Sequence, residues 1–336
     1  MINVTQLAEL LKNLDNFVLT THVNPDADAI GSVIAFQRAL QENGKSVRII
    51  NCSETPRYLQ FLDPENTIEH YKPELHDDVV RSAGAFVALD FNRVDRMIRM
   101  AHLFKDIKGV KICIDHHQWP EEVFDYIFSD TLSCATGHIL FDFIKHTGFA
   151  KLSFRLAEPI YAAIMTDTGS FSFDRTTAEV FRIAAELLEA GVIPMDVYTK
   201  IYTNNSPGKL LLLGTALEGI RYHGKDHQIG VMTVTQESLQ RTGMKEDETD
   251  QFVNMIMSVG SVKIGMKFLE LPHGFKLSLR SKGEIPVHQF ASTYGGGGHR
   301  NASGIRIRDK AMAEMKDEMI AAALTFLTKW ETENNA

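Results

Sequence analysis

Carboxylates and imidazoles recur in four short motifs within the first half of this 336-residue chain. They are Thr21-His22-Val23-Asn24-Pro25-Asp26-Ala27-Asp28, Ala88-Leu89-Asp90, Ile114-Asp115-His116-His117 and Met165-Thr166-Asp167-Thr168. Two carboxylates 4 Å apart repel by roughly 4 kcal/mol at an effective dielectric near 20, so gathering Asp26, Asp28, Asp90, Asp115 and Asp167 calls for a divalent cation. Histidine with several carboxylates and no thiolate suits a borderline-to-hard ion, with Mn²⁺ ahead of Mg²⁺ and Zn²⁺ less favoured. Ligands suffice for two ions. A pair about 3.5–4 Å apart would polarise a phosphoryl oxygen and deliver a hydroxide for in-line attack.

Each motif also has a plainer reading. Pro25 sets a tight turn after Asn24, so Asp26 and Asp28 either point together at a metal or serve as a turn and a helix cap. Asp90 alone reads first as a cap for a helix beginning near Arg93. Neighbouring histidines diverge, so one of His116 and His117 can bind metal while the other faces substrate, with Asp115 orienting an imidazole. Asp167 follows a helix-like stretch and also reads as the end of a helix closed by Gly169.

Positioning these residues falls to the elements before them. Phe17-Val18-Leu19, Ala85 to Leu89 and Val110 to Ile114 read as buried strands whose ends release the polar motifs. Helix patterns near 4–13, 28–43 and 93–101 alternate with strands at 16–21, 46–51, 84–90 and 110–115, which predicts a doubly wound parallel α/β sheet, and such sheets bind ligands at the carboxyl ends of strands. Helical periodicity dominates from Cys134 to about Ala190. Thr203-Asn204-Asn205-Ser206-Pro207-Gly208 stacks turn formers and is the clearest break. The expected division is a metal-binding domain over 1–190, a linker over 191–220 and a smaller α/β domain with a mixed sheet over 221–336, its strands at 229–234, 262–268 and 275–279 and its helices near 247–258, 286–293 and 311–330. The active site is expected in the interdomain cleft.

A second constellation lies in that smaller domain, at Gly295-Gly296-Gly297-Gly298-His299-Arg300-Asn301-Ala302-Ser303-Gly304. Successive glycines let backbone N–H groups approach an anion, and His299 and Arg300 add charge-assisted donors. A flexible surface loop is the alternative. Arg280 and Ser281, ending a strand, can reach the same anion.

Composition narrows the class. The formal charge is -8, which argues against a general nucleic-acid coat, yet residues 275–310 hold seven basic and two acidic side chains and would draw anions locally. Cys52, Cys113 and Cys134 lack metal-type spacing and fit a reducing compartment. The amino-terminal stretch reads as an amphipathic helix rather than a signal peptide, and no apolar run approaches the ~18 residues that span a bilayer, so a cytoplasmic protein without membrane attachment is expected.

The set His22 to Ser32, Asp90, Asp115-His116-His117 and Asp167 resembles the four motifs of the DHH phosphoesterase superfamily, and Gly295 to Gly304 looks like the nucleotide-binding motif of its DHH-associated C-terminal domain. The compact layout resembles the branch that cleaves very short oligonucleotides and dephosphorylates 3′-phosphoadenosine-5′-phosphate (pAp). This resemblance implies that His22, Asp26 and Asp90 hold one ion, and Asp28, Asp90, His116 and Asp167 the other, with Asp90 bridging. It implies catalytic roles for His117 at the scissile phosphate and for Asp115. Arg280, Ser281, Gly296, Gly297, Gly298, His299 and Arg300 would then hold the rest of the substrate. The expected partners are short single-stranded RNA or DNA, pAp and linear dinucleotides, and the oligomeric state stays open. A manganese-dependent inorganic pyrophosphatase is the enzymatic alternative, and a nucleotide-sensing module without turnover is the non-enzymatic one.

Overall fold

A computed structural model describes residues 3–249 and 251–334. The chain divides between Asn204 and Asn205, inside the run of turn formers that the sequence marks as the break.

The first domain runs α1 (Val4–Lys12), β1 (Phe17–Thr21), α2 (Ala27–Glu42), β2 (Val47–Asn51), β3 (Ile68–His70), α3 (Pro73–Arg81), β4 (Ala85–Leu89), β5 (Val110–Asp115), β6 (Tyr126–Ser129), α4 (Thr136–Thr147), α5 (Phe154–Asp167), α6 (Ala178–Glu189) and α7 (Pro194–Tyr202). Its six strands form one sheet in the order β3-β2-β1-β4-β5-β6, and every pairing is parallel. The unbroken apolar runs are explained by burial on both faces. Phe17, Leu19, Val87, Leu89, Ile112 and Ile114 enter one core with α2, α4 and α5, while Val18, Phe86, Ala88 and Cys113 enter the other. Strand order reverses between β1 and β4, and at such a switch point the diverging connections leave a crevice at the carboxyl edge.

Short elements escaped the sequence reading. β3 and β6 have three and four residues and little apolar periodicity. The helix expected at 93–101 is instead a 3-10 stretch over Val94–Asp106, interrupted at Ile98, whose φ is +40°. The segment 191–220, read as a linker, contains α7 and α8 (Pro207–Glu218). Val197 and Ile201 join the first domain's core and Leu212 and Ala216 the second's, so the irregular connection is confined to a few residues.

After α8 the second domain continues with β7 (Arg221–His223), β8 (Ile229–Val234), α9 (Gln236–Thr242), α10 (Phe252–Met257), β9 (Ile264–Leu271), β10 (Gly274–Ser281), α11 (Val287–Ser292), β11 (Gly297–His299), β12 (Ala302–Arg308) and α12 (Met312–Asn334). Asp250, within the helix expected over 247–258, lies outside the described residues; flanking it are a 3-10 turn at Glu246–Thr249 and α10. The sheet order is β11-β12-β10-β9-β8-β7, parallel only between β8 and β9, so it is mixed. The glycine run is not a free loop, because Gly297 to His299 pair with Ala302 to Gly304 as a tight hairpin.

Close helix packing positions the edge that matters. A side chain on Gly31 of α2 would place its Cβ 2.3 Å from the Pro159 carbonyl oxygen in α5, and one on Gly137 of α4 would meet the Ala163 methyl at 2.5 Å. Pro159 lacks an N–H and cannot bond Arg155 one turn back, and the Arg38 guanidinium supplies the donor at 2.6 Å. Gly31→Ala tests this contact. Helix propensity alone favours alanine by about 1 kcal/mol, yet overpacking predicts a net loss of roughly 1–3 kcal/mol. Chemical denaturation checks the sign, and an unchanged or higher midpoint would mean that α2 and α5 separate without penalty.

Candidate metal centre

Strand and helix ends assemble the site. β1 ends one residue before His22, β4 one before Asp90, and Asp115 is the last residue of β5. Asp26 caps α2, its Oδ1 accepting from the Ala29 N–H at 3.1 Å. Asp167 is the last residue of α5. A carboxylate there faces the negative end of the helix dipole, an unfavourable placement that a cation reverses.

Asp90 sits in the middle. Its Oδ2 lies 3.4 Å from His22 Nε2, and its Oδ1 lies 3.5 Å from His116 Nε2 and 3.8 Å from His117 Nδ1. His22 Nε2 is also 4.0 Å from Asp26 Oδ1, while His116 Nε2 is 3.6 Å from Asp28 Oδ2 and 3.3 Å from Asp167 Oδ2. The potential ligand atoms of His22, Asp26 and Asp90 lie within 4.8 Å of one another, and so do those of Asp28, His116 and Asp167. Asp90 thus completes the first cluster through Oδ2 and turns Oδ1 toward His116 of the second.

Ring tautomers favour the same arrangement. His22 Nδ1 is 2.9 Å from the Val23 carbonyl, which can only accept, so Nδ1 carries the proton and Nε2 keeps its lone pair toward Asp90. His116 Nδ1 is 3.4 Å from the Ser133 carbonyl, and donation to it would leave Nε2 with its lone pair. Arg175 Nη1 also lies 3.3 Å from both His116 Nδ1 and the Ser133 oxygen; with Nδ1 protonated, its hydrogen bond goes to the carbonyl. His117 is oriented differently. Asp115 accepts the His117 Nδ1–H at 2.7 Å and its backbone N–H at 3.1 Å. The two neighbouring rings meet edge to face with centroids 4.7 Å apart.

The plainer readings do not survive at two positions. Asp28 lies in the first turn of α2, but its carboxylate accepts from the backbone N–H groups of Thr136 and Gly137 at 2.7 and 2.9 Å and so caps α4. The 3-10 stretch after Arg93 receives its cap from Glu121, through the Val94 N–H at 2.7 Å, leaving Asp90 for the cluster. Asp90 adopts φ +64°. Such a left-handed backbone costs about 1–3 kcal/mol and persists where surroundings demand it.

Burial sets the electrostatics. Asp28 is 0 % exposed and Asp90 2 %, and desolvation followed by neighbouring carboxylate charge pushes Asp28 up to about 6 and Asp90 well above the ordinary range. Desolvation first, opposed by Asp26, lowers His22. A cluster that holds protons when empty, with neutral imidazole Nε2 atoms turned inward, has the donor chemistry of a divalent oxygen-and-nitrogen site, so the residues fit the implied metal. The Asp26 side chain is 55 % exposed, opening the site to solvent.

Sequence reasoning missed the supports. Thr136 Oγ1 donates to Asp90 Oδ1 at 3.0 Å, Ser32 Oγ donates to Asp28 at 3.0 Å, and Asn92 Nδ2 donates to the carbonyls of His117 and Gln118, each at 3.2 Å. Thr136 and Ser32 are common helix residues. Only their approach to buried carboxylates marks them.

In the second domain, Arg280, Ser281 and the glycine hairpin are neighbours. Arg280 pairs in register with Ala302, which also faces His299, and the Ser281 N–H donates to the Asn301 carbonyl at 3.0 Å. Asn301 Nδ2 ties the turn to Ser281 Oγ at 3.0 Å and to the Gly283 carbonyl at 2.7 Å. Arg300 is held by Glu284. Gly298 has φ +138°, and a Cβ on Gly296 would lie 2.3 Å from the Gly304 oxygen, so the hairpin itself demands these two glycines; a Cβ on Gly297 meets nothing within 4 Å.

Residues 16–164 match the DHH family, N-terminal domain, and residues 228–329 match the DHHA1 domain. The chain is 30% identical to the bifunctional oligoribonuclease and PAP phosphatase NrnA of Thermus thermophilus, over 96% of this chain and 94% of that protein. The Bacillus subtilis protein of the same name is 24% identical over 93% of this chain and 97% of its own length. Among solved structures, an exopolyphosphatase-related protein from Bacteroides fragilis superimposes with a TM-score of 0.88 at 29% identity, covering 99% of this chain and 97% of that one.

Metal and protons compete for this cluster. Asp28 is raised in the folded state, so between roughly pH 4 and 6 the metal-free fold binds protons that the unfolded chain releases, and stability falls as pH rises through that window. Added Mn²⁺ should therefore raise Tm strongly at pH 7, and the gain should shrink as pH is lowered below about 6. Thermal melts with EDTA and with metal at both pH values check this; an equal shift at both would dissociate the metal from Asp28.

Proposed function

Because the chain belongs to the DHH family, with a DHHA1 domain following, we propose that it is a metal-dependent phosphohydrolase that releases mononucleotides from very short oligonucleotides and dephosphorylates pAp. The observation that carries this reading is Asp90, which shares one cluster with His22 and Asp26 through Oδ2 and turns Oδ1 toward His116 of the other. His22, Asp26 and Asp90 would hold one divalent ion, and Asp28, Asp90, His116 and Asp167 a second, with Mn²⁺ the preferred metal and Mg²⁺ a substitute. When bound, such a pair supplies a nucleophilic hydroxide and charge stabilisation at the phosphoryl group.

The chain's own groups do the rest. Asp115, buried and bonded to His117 Nδ1, orients the ring and leaves Nε2 as the atom that would contact the scissile phosphate. Thr136 and Ser32 hold Asp90 and Asp28 through hydroxyl hydrogen bonds. Arg280, Ser281, Gly296, Gly297, Gly298, His299 and Arg300 bind the remainder of the nucleotide, a role supported by their convergence at the β10 end and the glycine hairpin and by the surrounding positive charge. Arg300 is also paired with Glu284. Linear dinucleotides fall within the same substrate class. No helix among the described residues is long and apolar enough to cross a membrane, and Cys52, Cys113 and Cys134 are buried free thiols, which supports a cytoplasmic setting.

Incubation with Mn²⁺ and, separately, pAp, a ribodinucleotide, a 20-mer and pyrophosphate tests the substrate class. Rapid turnover of the first two is expected, with the 20-mer poor; preference for pyrophosphate or for the 20-mer would overturn the reading. Asp90→Ala should abolish turnover, and activity within about tenfold of wild type at saturating metal would contradict a bridging role. His117→Ala should keep its metal by elemental analysis and lose kcat. A metal-free purified variant would show that His116 and His117 exchange roles.

A further inference from the structure

The loop from His22 to Asp26 is held by a strand that brings no ligand of its own to the clusters found among the described residues. That strand is β2, which ends at Asn51. Its pairing with β1 runs as far as Leu19 opposite Ile49, so the Thr21 N–H lies beyond the backbone ladder. The Asn51 side chain takes over there, its Oδ1 accepting that N–H at 3.0 Å. Asparagine is a poor strand residue, and this one is 0 % exposed, with Nδ2 buried and without a hydrogen-bond partner among the described residues. An enclosed amide satisfied at one end costs free energy. Local conflicts of this kind gather at functional sites, and the one bond the side chain makes is to the residue before His22.

Two more acceptors extend the hold. The Val23 N–H donates to the Arg96 carbonyl at 3.0 Å, and the Asn24 N–H donates to Ser53 Oγ at 3.0 Å, two residues past the end of β2. Asn24 needs that support, because a residue before proline is biased to extended backbone and Asn24 has φ +53°. The His22 ring is tied to the same backbone, its Nδ1 lying 2.9 Å from the Val23 carbonyl. The N–H groups of Thr21, Val23 and Asn24 are all anchored, and β2 and the residues after it supply both side-chain acceptors. Asp28, by contrast, is gripped by the start of α4, while His116 follows β5 and Asp167 ends α5.

Resting on the two-ion phosphohydrolase reading, we propose that Asn51 and Ser53 are positioning residues for the ion assigned to His22 and Asp26. They act through the loop backbone, keeping its imidazole and carboxylate in place before metal arrives. The support is one-sided. It sets the affinity of that ion and leaves the ion of Asp28, His116 and Asp167 alone.

Calorimetric titration of the metal-free full chain with Mn²⁺ tests this, and His22→Ala marks the binding class that belongs to the loop. Ser53→Ala and Asn51→Ala should each weaken that class by about tenfold to a hundredfold and leave the other within about threefold. Ser53→Thr, which keeps the hydroxyl, should return it to within about threefold of wild type. Wild-type affinity in both alanine variants would overturn the proposal, and so would equal weakening of both classes, the result of a merely structural role. Should Asn51→Ala fail to fold in melts with EDTA, Ser53→Ala decides by itself, since Ser53 is only half-buried. A wild-type chain that binds a single ion refutes the two-ion reading; the proposal then stands if His22→Ala removes that ion and Ser53→Ala weakens it, and falls if either leaves it intact. A chain that binds none refutes both. Two bound ions without turnover of pAp or dinucleotides would refute the activity and leave the affinities to judge Asn51 and Ser53.

Discussion

Like charge held at close range is the constraint on which the first domain depends. Asp28 and Asp90 are almost wholly enclosed, and Asp26, Asp115 and Asp167 approach the same ligand atoms. Each pair at about 4 Å opposes assembly by several kcal/mol in a protein-like dielectric. Without a cation the response is to retain protons, which is the direction in which both buried groups are driven. The scaffold tolerates that opposition because backbone donors at the start of α4 and hydroxyls from Ser32 and Thr136 hydrogen-bond the two buried carboxylates.

That grip explains features of the fold that otherwise look wasteful. α2 is buried along nearly its whole length, and Gly31 and Gly137 forgo side chains so that α2, α4 and α5 can approach closely. Close approach brings the first turn of α4 to Asp28 and the last residue of α5 to His116. The parallel sheet supplies the other half, since β1, β4 and β5 end side by side and deliver His22, Asp90 and Asp115 at the point where strand order reverses. A rigid scaffold of this kind holds catalytic groups in a fixed geometry, which is what transition-state stabilisation requires.

The second domain obeys a different logic. Its mixed sheet is held by antiparallel pairing, and the glycine run serves that pairing first, because Gly296 and Gly298 sit where a side chain would strike the backbone of β12. At Gly297 a side chain would meet nothing within 4 Å, so packing does not demand glycine there.

The parallel first sheet was legible in the sequence because two-sided burial writes continuous apolar runs, and the candidate ligands stood out because carboxylate and imidazole chemistry is visible in residue type. The reading of β3, β6 and the 191–220 segment fell short, since short strands and helices at a domain boundary carry little periodic signal. Only tertiary structure decided that Asp28 caps α4 rather than its own helix, that Glu121 instead of Asp90 caps the stretch after Arg93, and that Asn92 holds the carbonyl of His117. These contacts join residues far apart in the chain, and nothing in local propensity or spacing encodes which distant N–H a buried carboxylate will meet. Chemistry is written in the residues, whereas the partner of each polar group is set by packing.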